Sequence, residues 1–387
     1  MIVGAGPVGS YLACTLARVG HKVVVFEKRP EVGEAACCTG IIGKECFDRF
    51  PIAKNAILIE SSSARFFAPS GRFVRLSKDA VQAYVVDRDA FDRALAQRAQ
   101  AEGVDYLLSS RVENLSLTDS CVRASVECKG KSNSFEGKVV VLTSGFGASL
   151  PQRLGLGKIG DFVLGAQAEV NVESLEEVEV YFGHEIAPGF FAWLVPTAPG
   201  RALAGLLSRR SAGSYLKNLI SRMLARGKIT SVEGKITYGG IPLTPLPKTF
   251  GERVLAVGDA AGQVKPTTGG GIYYGLLCAD IAAEVIHEAL LADDVSARRL
   301  GGYEKRWKEK LSRELQIGYW ARKVYEKLSD KQIEHIFDIV QENKIHEALL
   351  QSPDFSFDWH GDSILRVLKD NSLRQTIRSV TKSRLPS

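Results

Sequence analysis

Long hydrophobic runs, a leader-like N-terminus and a strong excess of one charge are all missing from this 387-residue sequence. The most apolar window, 271–283, is interrupted by Asp280, well short of the roughly 20 residues that a membrane-spanning helix needs. No basic segment followed by an apolar one opens the chain, so no secretory signal is predicted. The net charge of +6 is too small to indicate nucleic-acid binding. We therefore expect a soluble cytoplasmic protein with no nucleic-acid partner.

Cysteines paired at the spacings that build zinc sites are also lacking. The seven cysteines form an odd set without any C-x-x-C spacing, which is typical of a reducing compartment and predicts no metal site. Two of them, Cys37 and Cys38, are adjacent. A disulfide between these neighbours is not expected in a reducing cytosol, so both are predicted to be free thiols.

The chain has the length and composition of a folded protein with more than one domain. Apolar residues make up 45% and charged residues 24%, which excludes a disordered or fibrous class. Strand-like segments fill 162–207, and the chain beyond Tyr303 is helical in pattern. After position 365 six basic residues face one acidic residue. This basic end is interpreted either as a solvated helix face or as a surface attracted to anionic lipid headgroups.

The N-terminus carries a dinucleotide-binding pattern. Gly4-x-Gly6-x-x-Gly9 follows a short strand and opens a helix, and the next strand, 22–26, ends at Glu27. Such glycines let the backbone approach a pyrophosphate at the helix N-terminus, while the acidic residue accepts hydrogen bonds from ribose hydroxyls. The first strand is shorter than the usual length of about five or six residues, so we expect the natural chain to begin slightly earlier. This motif alone does not distinguish NAD from FAD.

A second motif, about 250 residues later, favours FAD. The buried strand 253–257 ends in Gly258-Asp259, and the run 269–271 precedes an apolar helix. A carboxylate at the strand end is suited to bind ribityl hydroxyls. Free N–H groups at the helix start would bind the flavin pyrimidine edge and stabilise negative charge on the reduced ring. An NAD enzyme has no use for this distant element.

With both motifs in place, the sequence resembles flavoproteins of the para-hydroxybenzoate hydroxylase type and, among them, the geranylgeranyl reductases. Members of that family reduce isolated carbon–carbon double bonds in isoprenoid chains of archaeal lipids, chlorophyll precursors or quinones. The resemblance spans residues 1 to about 300 and includes Arg88, at a position where the wider family places an FAD-contacting arginine. An ion pair at the helix N-terminus is the alternative explanation for Arg88.

Three segments narrow the resemblance to the reductases. Gly262 stands where hydroxylases usually carry histidine, and the loop Cys37-Cys38-Thr39-Gly40 is similar to a cysteine-containing loop near the flavin in the reductases. Either cysteine fits the family position. Residues 188–196 are similar to the reductase pattern P-x-x-Y-x-W-x-F-P. This aromatic strand is suited to lining an apolar tunnel, although an ordinary core strand has the same pattern.

The sequence departs from the family pattern at three places. Phe191 replaces the tyrosine of the aromatic pattern and so loses its hydroxyl, and Val195 replaces a phenylalanine. Ser144-Gly145 stands where related flavoproteins often have Asp-Gly, whose carboxylate usually contacts nicotinamide cofactor or substrate in hydroxylases. The loss of that carboxylate weakens the hydroxylase interpretation and places direct use of NADPH in question.

Carried over to this sequence, the resemblance implies both cofactor and substrate contacts. Catalytic candidates are the thiols of Cys37 and Cys38, and the candidate substrate pocket contains Phe191, Trp193 and Pro196. The implied FAD contacts come from both glycine motifs, the cysteine loop and single residues between them: Gly4, Gly6, Val8, Gly9, Glu27, Cys38, Thr39, Gly40, Arg88, Val112, Asp259, Gly271 and Ile272.

The expected architecture is α/β, with a Rossmann-like FAD-binding domain of the glutathione-reductase-2 type, an inserted antiparallel β-sheet substrate domain and a helical C-terminal region. The FAD domain is discontinuous over 1–62, 85–155 and 250–300, and the substrate domain comprises 63–84 and 156–249. The helical region covers 301–387. A stripe with a spacing of four residues, from Tyr303 to Tyr319, is expected to pack on the body rather than on a membrane.

The expected function is FAD-dependent reduction of double bonds in a geranylgeranyl or polyprenyl chain, with an isoprenoid lipid or prenyl diphosphate as substrate and NAD(P)H or ferredoxin as reductant. The proton donor stays open between a cysteine and an ordered water. Peripheral contact with the inner membrane surface is a further expectation. Two alternatives remain, which are an FAD-dependent aromatic monooxygenase or halogenase and a non-catalytic prenyl-binding escort protein.

Overall fold

A computed structural model of the chain describes residues 1–34, 37–52, 54–352 and 355–380, with side chains described up to residue 377. The strands in chain order are β1 Ile2–Val3, β2 Val24–Phe26, β3 Ile41–Gly43, β4 Ile57–Ser61, β5 Ser63–Phe67, β6 Phe73–Ser77, β7 Ala83–Val86, β8 Asp105–Leu107, β9 Ser110–Leu117, β10 Val122–Cys128, β11 Lys131–Gly137, β12 Val140–Leu142, β13 Phe162–Asn171, β14 Val178–Phe182, β15 Phe191–Ala198, β16 Arg201–Ser208, β17 Ser231–Pro242, β18 Phe250–Gly251 and β19 Val254–Ala256.

The helices are α1 Pro7–Arg18, α2 Lys44–Arg49, α3 Arg88–Ala101, α4 Leu150–Arg153, α5 Ala212–Ala225, α6 Ile272–Leu291, α7 Ala297–Tyr325, α8 Asp330–Glu342, α9 Ile345–Leu350, α10 Gly361–Val367 and α11 Asn371–Val380.

A six-stranded sheet forms the Rossmann-like part, in the order β18-β19-β12-β1-β2-β8. Every pairing in it is parallel except that of β18 with β19. The central strands β1, β12 and β19 are apolar and buried, because helices cover the faces of a parallel sheet. Helix α1 packs against both α3 and α6. The prediction of a Rossmann-like α/β fold is confirmed.

A seven-stranded sheet forms the other large layer, in the order β17-β13-β16-β15-β14-β5-β6. The prediction of an antiparallel sheet is wrong at one pairing, because β14 and β5 run parallel. These two strands are more than 100 residues apart in the chain, so no tight hairpin constrains them to be antiparallel. One face of this sheet is covered by α5, around a core that includes Ala166, Leu194, Leu206 and Leu216.

Helix α7 carries the predicted stripe on its buried side. Tyr303, Trp307, Leu311 and Leu315 are each at most 4% exposed, so the expectation that this stripe packs on the body is confirmed.

Helix α8 begins with a capping box in which Ser329 and Gln332 each satisfy the other's backbone N–H. Among the described residues, no helix is long and apolar enough to cross a membrane.

Two smaller three-stranded sheets, β11-β10-β9 and β3-β7-β4, complete the strand layers. In the second of these sheets, β7 pairs with β3 and with β4, and β4 and β7 flank the β5–β6 hairpin in the chain. We propose the same division into a discontinuous Rossmann-like domain, a sheet domain and a helical end, because the chain leaves the six-stranded sheet to build the seven-stranded one and returns to it at β18.

Candidate active site

The turn between β1 and α1 is a close-packed glycine cradle. Gly4 has a φ of +108°, and a Cβ built there would lie 2.5 Å from the Thr143 carbonyl oxygen. A Cβ on Gly9 would lie 2.1 Å from the Gly4 oxygen. Gly6 differs, since nothing lies within 4 Å of its Cβ position. The open side of the turn at Gly6 therefore leaves the free N–H groups of the first helical turn accessible to a phosphate.

Glu27 follows β2 and holds this cradle. Its Oε2 accepts a hydrogen bond from the Ala5 N–H at 2.9 Å, and its Oε1 accepts one from the Arg29 N–H at 3.0 Å. The Ser110 N–H donates to the Glu27 carbonyl at 2.7 Å, which brings the start of β9, including Val112, to the same edge. Each carboxylate oxygen retains acceptor capacity, so the proposed ribose contact is compatible with these bonds.

The second half of the site lies where β19 runs toward α6. The Asp259 carboxylate has no hydrogen-bond partner in the described part of the chain, and a Cβ on Gly271 would lie 2.3 Å from its Oδ1. Burial raises the pKa of Asp259, whereas the charge of Arg88 lowers it. The side chain of Val8 lies between Gly258 and Gly275 and so joins the two halves. An unpaired carboxylate beside a glycine fits the ribityl hydroxyls of a flavin nucleotide.

The turn before α6 offers its free N–H groups at other positions than the sequence indicates. Gly269 donates to the Lys265 carbonyl at 2.8 Å, and Gly270 donates to the Thr268 hydroxyl at 3.4 Å. The expectation that the glycine run itself supplies free donors is wrong for these two residues, because the turn closes on itself. Within residues 265–272, all of which the structure describes, the N–H groups of Thr267, Thr268, Gly271 and Ile272 have no hydrogen-bond partner.

Arg88 lies between the cysteine loop and Asp259. Its guanidinium pairs with Asp92 at 3.0 Å, with the arginine side chain 13% exposed. Burial opposes the charge, but Asp92 and the Cys38 sulfur together raise the pKa of Arg88 above its usual value. The ion pair predicted as the alternative explanation for Arg88 is therefore confirmed at the start of α3. The contact of Arg88 with FAD stays a prediction.

The two adjacent cysteines face different surroundings. The Cys38 Sγ accepts a hydrogen bond from the Gly40 N–H at 3.4 Å and contacts Arg88. The Cys37 Sγ lies 3.5 Å from the Cβ position of Gly239 and accepts a hydrogen bond from the Thr237 hydroxyl at 3.6 Å. Burial raises the pKa of the Cys37 thiol. Both are free thiols, and only Cys37 faces the seven-stranded sheet.

That sheet presents a row of glycines on the face away from α5. The pairing places Gly239, Gly165, Leu207 and Phe191 in successive strands, and the next row contains Thr237, Gln167, Gly205 and Trp193. The indole of Trp193 lies flat over Gly205, 2.4 Å from its Cβ position. Because Gly239 has no side chain, the Cys37 side chain lies directly against this face of the sheet, with its Cβ 3.4 Å from the Cβ position of Gly239.

A row of aromatic rings continues from this glycine surface, and we propose that it forms the wall of a crevice. Phe191 is 6.0 Å from Trp193 and 6.4 Å from Phe182, and Phe182 is in turn 5.6 Å from Tyr325 and 6.0 Å from Phe337, measured between ring centroids. All five side chains are partly exposed. A crevice lined by accessible aromatic faces is suited to an apolar chain rather than to a polar substrate.

Pro196 does not join this crevice. It is buried and pairs with Ala202, whose side chain lies in the core under α5. Because side chains alternate along a strand, Pro196 lies on the opposite face from Trp193. The expectation for Pro196 in the substrate pocket is therefore corrected. Phe182, Tyr325 and Phe337 were not predicted to belong to the site, although the aromatic pair Tyr181-Phe182 on a short strand was a visible signal.

The comparisons with known proteins agree with this geometry. Residues 1–342 match the profile of the family described as Lycopene cyclase protein. The digeranylgeranylglycerophospholipid reductase of Methanocaldococcus jannaschii is 34% identical over 358 residues, covering 89% of this chain and 90% of the relative. The enzyme of that name from Methanosarcina acetivorans is 30% identical over 371 residues, covering 90% of each chain. The chain belongs to this reductase family.

Two solved structures resemble the fold of this chain, and the first of them also has a reductase-like name. A geranylgeranyl bacteriochlorophyll reductase-like protein of Thermoplasma acidophilum superposes with a TM-score of 0.85 at 25% identity, covering 98% of this chain and 97% of that one. A flavin-dependent brominase superposes with a TM-score of 0.70 at 18% identity, covering 98% of both chains. The second similarity shows the fold alone.

Asp259 and Glu27 are expected to respond differently to substitution by alanine. Asp259→Ala should weaken FAD binding by about 1–3 kcal/mol, because the ribityl hydroxyls lose their acceptor, yet leave the free energy of unfolding of the apoprotein unchanged. Glu27→Ala should weaken FAD binding less and destabilise the apoprotein, because it removes the acceptor of the Ala5 and Arg29 N–H groups. FAD titration and urea unfolding of both variants test this. Equal FAD affinity in wild type and Asp259→Ala would contradict it.

Proposed function

We propose that this chain binds FAD and reduces isolated carbon–carbon double bonds in the geranylgeranyl or polyprenyl chains of an isoprenoid lipid. The observation that carries the proposal is the row of partly exposed aromatic rings from Phe337 to Trp193, which ends at the glycine surface next to Cys37. These rings would line the proposed crevice for the lipid. The names of the family relatives support the same substrate class.

The residues that would hold FAD fit that group. The open cradle at Gly6 accepts the pyrophosphate, Glu27 accepts the adenosine ribose, and the unpaired Asp259 accepts the ribityl chain. Arg88, Val112, Thr39, Gly40 and Ile272 are proposed to complete the contacts to FAD. When bound, FAD supplies the hydride that one alkene carbon receives. The chain's own contribution is to position the lipid, to exclude water and to place a proton near the other carbon.

The crevice residues serve positioning and electrostatics. Gly205 gives the indole of Trp193 the space to lie flat against the sheet, so that the ring forms one side of the proposed crevice. An isolated alkene develops positive charge at its more substituted carbon as it is protonated. The faces of Trp193 and Phe191 stabilise such a charge in a dry environment.

Cys37 is the proposed proton donor of the two candidate thiols. Its raised pKa keeps it protonated at neutral pH, and it faces the glycine surface. Cys38 is engaged with Arg88 and the Gly40 N–H instead. The Gln167 Oε1 and the Trp193 Nε1 are buried without partners in the described chain, so an ordered water on this row is the alternative donor.

The reductant and the membrane contact are further parts of the proposal. NAD(P)H or ferredoxin supplies electrons to the flavin. The substrate is a lipid, so we propose that the protein lies at the cytoplasmic membrane surface. Lys369 and Arg374 are exposed near the end of the described chain, and such basic groups are attracted to anionic headgroups.

The proposal is tested by anaerobic turnover. The FAD-loaded protein is reduced with dithionite and incubated with geranylgeranyl glycerophospholipid, and the products are analysed by mass spectrometry. A gain of about 2 mass units per double bond is expected, since each reduction adds one hydride and one proton. A gain of about 16 units that requires oxygen would instead assign the chain to the monooxygenases. Bound lipid without any turnover would favour an escort protein.

Trp193→Ala is expected to lower this turnover at least tenfold without changing the FAD spectrum. The ring forms the crevice wall over Gly205 and makes no bond to the residues proposed to hold FAD. Phe73→Ala is the matched control, because it removes an aromatic ring that is 45% exposed from the edge strand of the same sheet. Trp193→Phe should retain most of the activity. Loss of FAD from Trp193→Ala, or an equal effect of Phe73→Ala, would refute the assignment of Trp193 to the crevice.

A further inference from the structure

Arg322 is a buried cation that joins three parts of the chain. It lies on α7 and is 6% exposed. Its guanidinium donates to the Gly189 carbonyl at 3.2 Å, to the Pro266 carbonyl at 3.3 Å and to the Thr267 carbonyl. Gly189 precedes the aromatic strand of the crevice, whereas Pro266 and Thr267 begin the turn that leads into α6. One side chain thus connects the helical end, the crevice wall and the candidate flavin turn.

The charge of Arg322 has no carboxylate partner. Within the described ranges no acidic oxygen lies within 4 Å of the guanidinium, and Glu326, the residue that follows α7, is paired with Arg209 at 2.6 Å. The rings of Phe190 and Tyr325 lie 4.6 and 5.3 Å from the guanidinium carbon. Burial lowers the pKa of Arg322 to about 10, which still leaves it charged at neutral pH. Burying a charge without a counter-ion costs folding free energy, so we expect Arg322 to have a function that offsets this cost.

The positive charge of Arg322 acts through the peptide groups whose carbonyls it contacts, and so affects the N–H groups on the opposite side of the turn. In a trans peptide the C=O and the N–H point in opposite directions. The carbonyls of Pro266 and Thr267 point toward the guanidinium, so the N–H groups of Thr267 and Thr268 point away from it. Neither N–H has a hydrogen-bond partner in the described chain. A cation on the carbonyl side polarises both peptides and makes these donors more positive.

The turn is held too closely to move away from Arg322. A Cβ on Gly318, one helical turn before Arg322, would lie 3.3 Å from the Pro266 ring. On the other side, Lys265 pairs with Asp358 at 2.7 Å and the Thr267 hydroxyl contacts the His360 ring nitrogen at 2.6 Å. The orientation of the two peptides is therefore fixed before any cofactor binds, which is the condition for a preorganised electrostatic effect.

We propose that Arg322 is a positioning residue that raises the reduction potential of the bound flavin, by fixing the 266–271 turn and favouring negative charge on the reduced ring. The inference rests on the FAD binding of the proposed function and is independent of the lipid substrate. The proposal gives helix α7 a role in the redox chemistry, although α7 lies outside both glycine motifs.

The test is the midpoint potential of the FAD-loaded protein without lipid, measured by equilibration with a reference dye during slow enzymatic reduction. Arg322→Met and Arg322→Gln remove the charge with different shapes. Both are expected to make two-electron reduction at least tenfold less favourable, which is a negative shift of about 30 mV. Arg322→Lys should lie closer to wild type. Lys323→Gln, an equal loss of charge at the neighbouring and 42% exposed position, should leave the potential unchanged.

Each possible result either supports or overturns the proposed role of Arg322. A wild-type potential in FAD-loaded Arg322→Met or Arg322→Gln overturns the proposal. An equal shift in Lys323→Gln also overturns it, because the effect would then reflect net charge rather than the fixed turn. If neither neutral variant retains FAD, Arg322 serves the fold rather than the potential, and the proposal fails. A protein that shows the expected shifts but reduces no lipid would contradict the proposed substrate alone.

Discussion

Asp358→Ala is expected to destabilise the protein by about 3–5 kcal/mol, because it leaves a buried lysine without its counter-charge. The Lys265 and Asp358 side chains are 6% and 2% exposed and lie 2.7 Å apart. The Lys265 ammonium otherwise contacts only the Phe357 carbonyl and aromatic rings among the described residues. Chemical unfolding of the apoprotein measures the loss.

Glu136→Ala is the matched control for this buried pair. It breaks an ion pair of equal length, 2.7 Å, between Arg123 and Glu136, whose side chains are more than half exposed. Such a pair contributes about 0–1 kcal/mol. Similar unfolding free energies for Asp358→Ala and Glu136→Ala would mean that Lys265 finds solvent or another partner. The double variant Lys265→Met/Asp358→Leu should recover part of the loss, since it removes both charges.

Gly9→Ala is expected to abolish FAD binding and to destabilise the fold, whereas Gly6→Ala should weaken FAD binding without destabilising the fold. A Cβ on Gly9 would lie 2.1 Å from the Gly4 oxygen and 2.6 Å from the Thr143 hydroxyl, so β1 and α1 have to move apart. At Gly6 the added Cβ meets no protein atom within 4 Å. It instead fills the space through which the pyrophosphate approaches, and we expect FAD affinity to fall about 100-fold.

FAD titration together with thermal unfolding of the apoproteins separates these two effects. Gly103→Ala provides no useful control, because Gly103 has a φ of +86° and alanine would be strained there. Gly302→Ala on α7 is suitable, since it also has open space at its Cβ position and lies outside the cradle. Normal FAD affinity in Gly6→Ala would show that the pyrophosphate binds elsewhere.

The sequence was sufficient wherever a local steric rule determines the residue. The glycine motifs were predicted because close backbone approaches at Gly4 and Gly9 admit no side chain, whatever the rest of the fold does. Gly262 is a similar case, with a φ of +74° and a Cβ position 2.3 Å from the Thr244 oxygen. The loss of the hydroxylase histidine at this position therefore has a backbone reason.

The sequence was insufficient where function depends on pairing between distant segments. The contact of Phe182 with Phe337 requires the register of β14 and the position of α8, neither of which any local pattern specifies. The distinction between Cys37 and Cys38 needed the location of Gly239. Arg322 lies in a helix rich in lysine and arginine, so its sequence context is that of a solvated face. The position of Pro196, by contrast, followed from strand alternation and was within reach.

The strand order of the Rossmann-like sheet has a consequence for the timing of folding during synthesis. Strand β1 lies beside β12, and β12 lies beside β19, so the central strands come from residues 2–3, 140–142 and 254–256. The ribosome must complete nearly two thirds of the chain before the third of these segments exists. Until then β12 lacks its neighbour β19 and α1 lacks α6, so their apolar surfaces remain available for misassociation. We therefore expect the nascent chain to bind the cofactor late. The seven-stranded sheet is synthesised before the segment that contains Asp259 and the turn leading into α6.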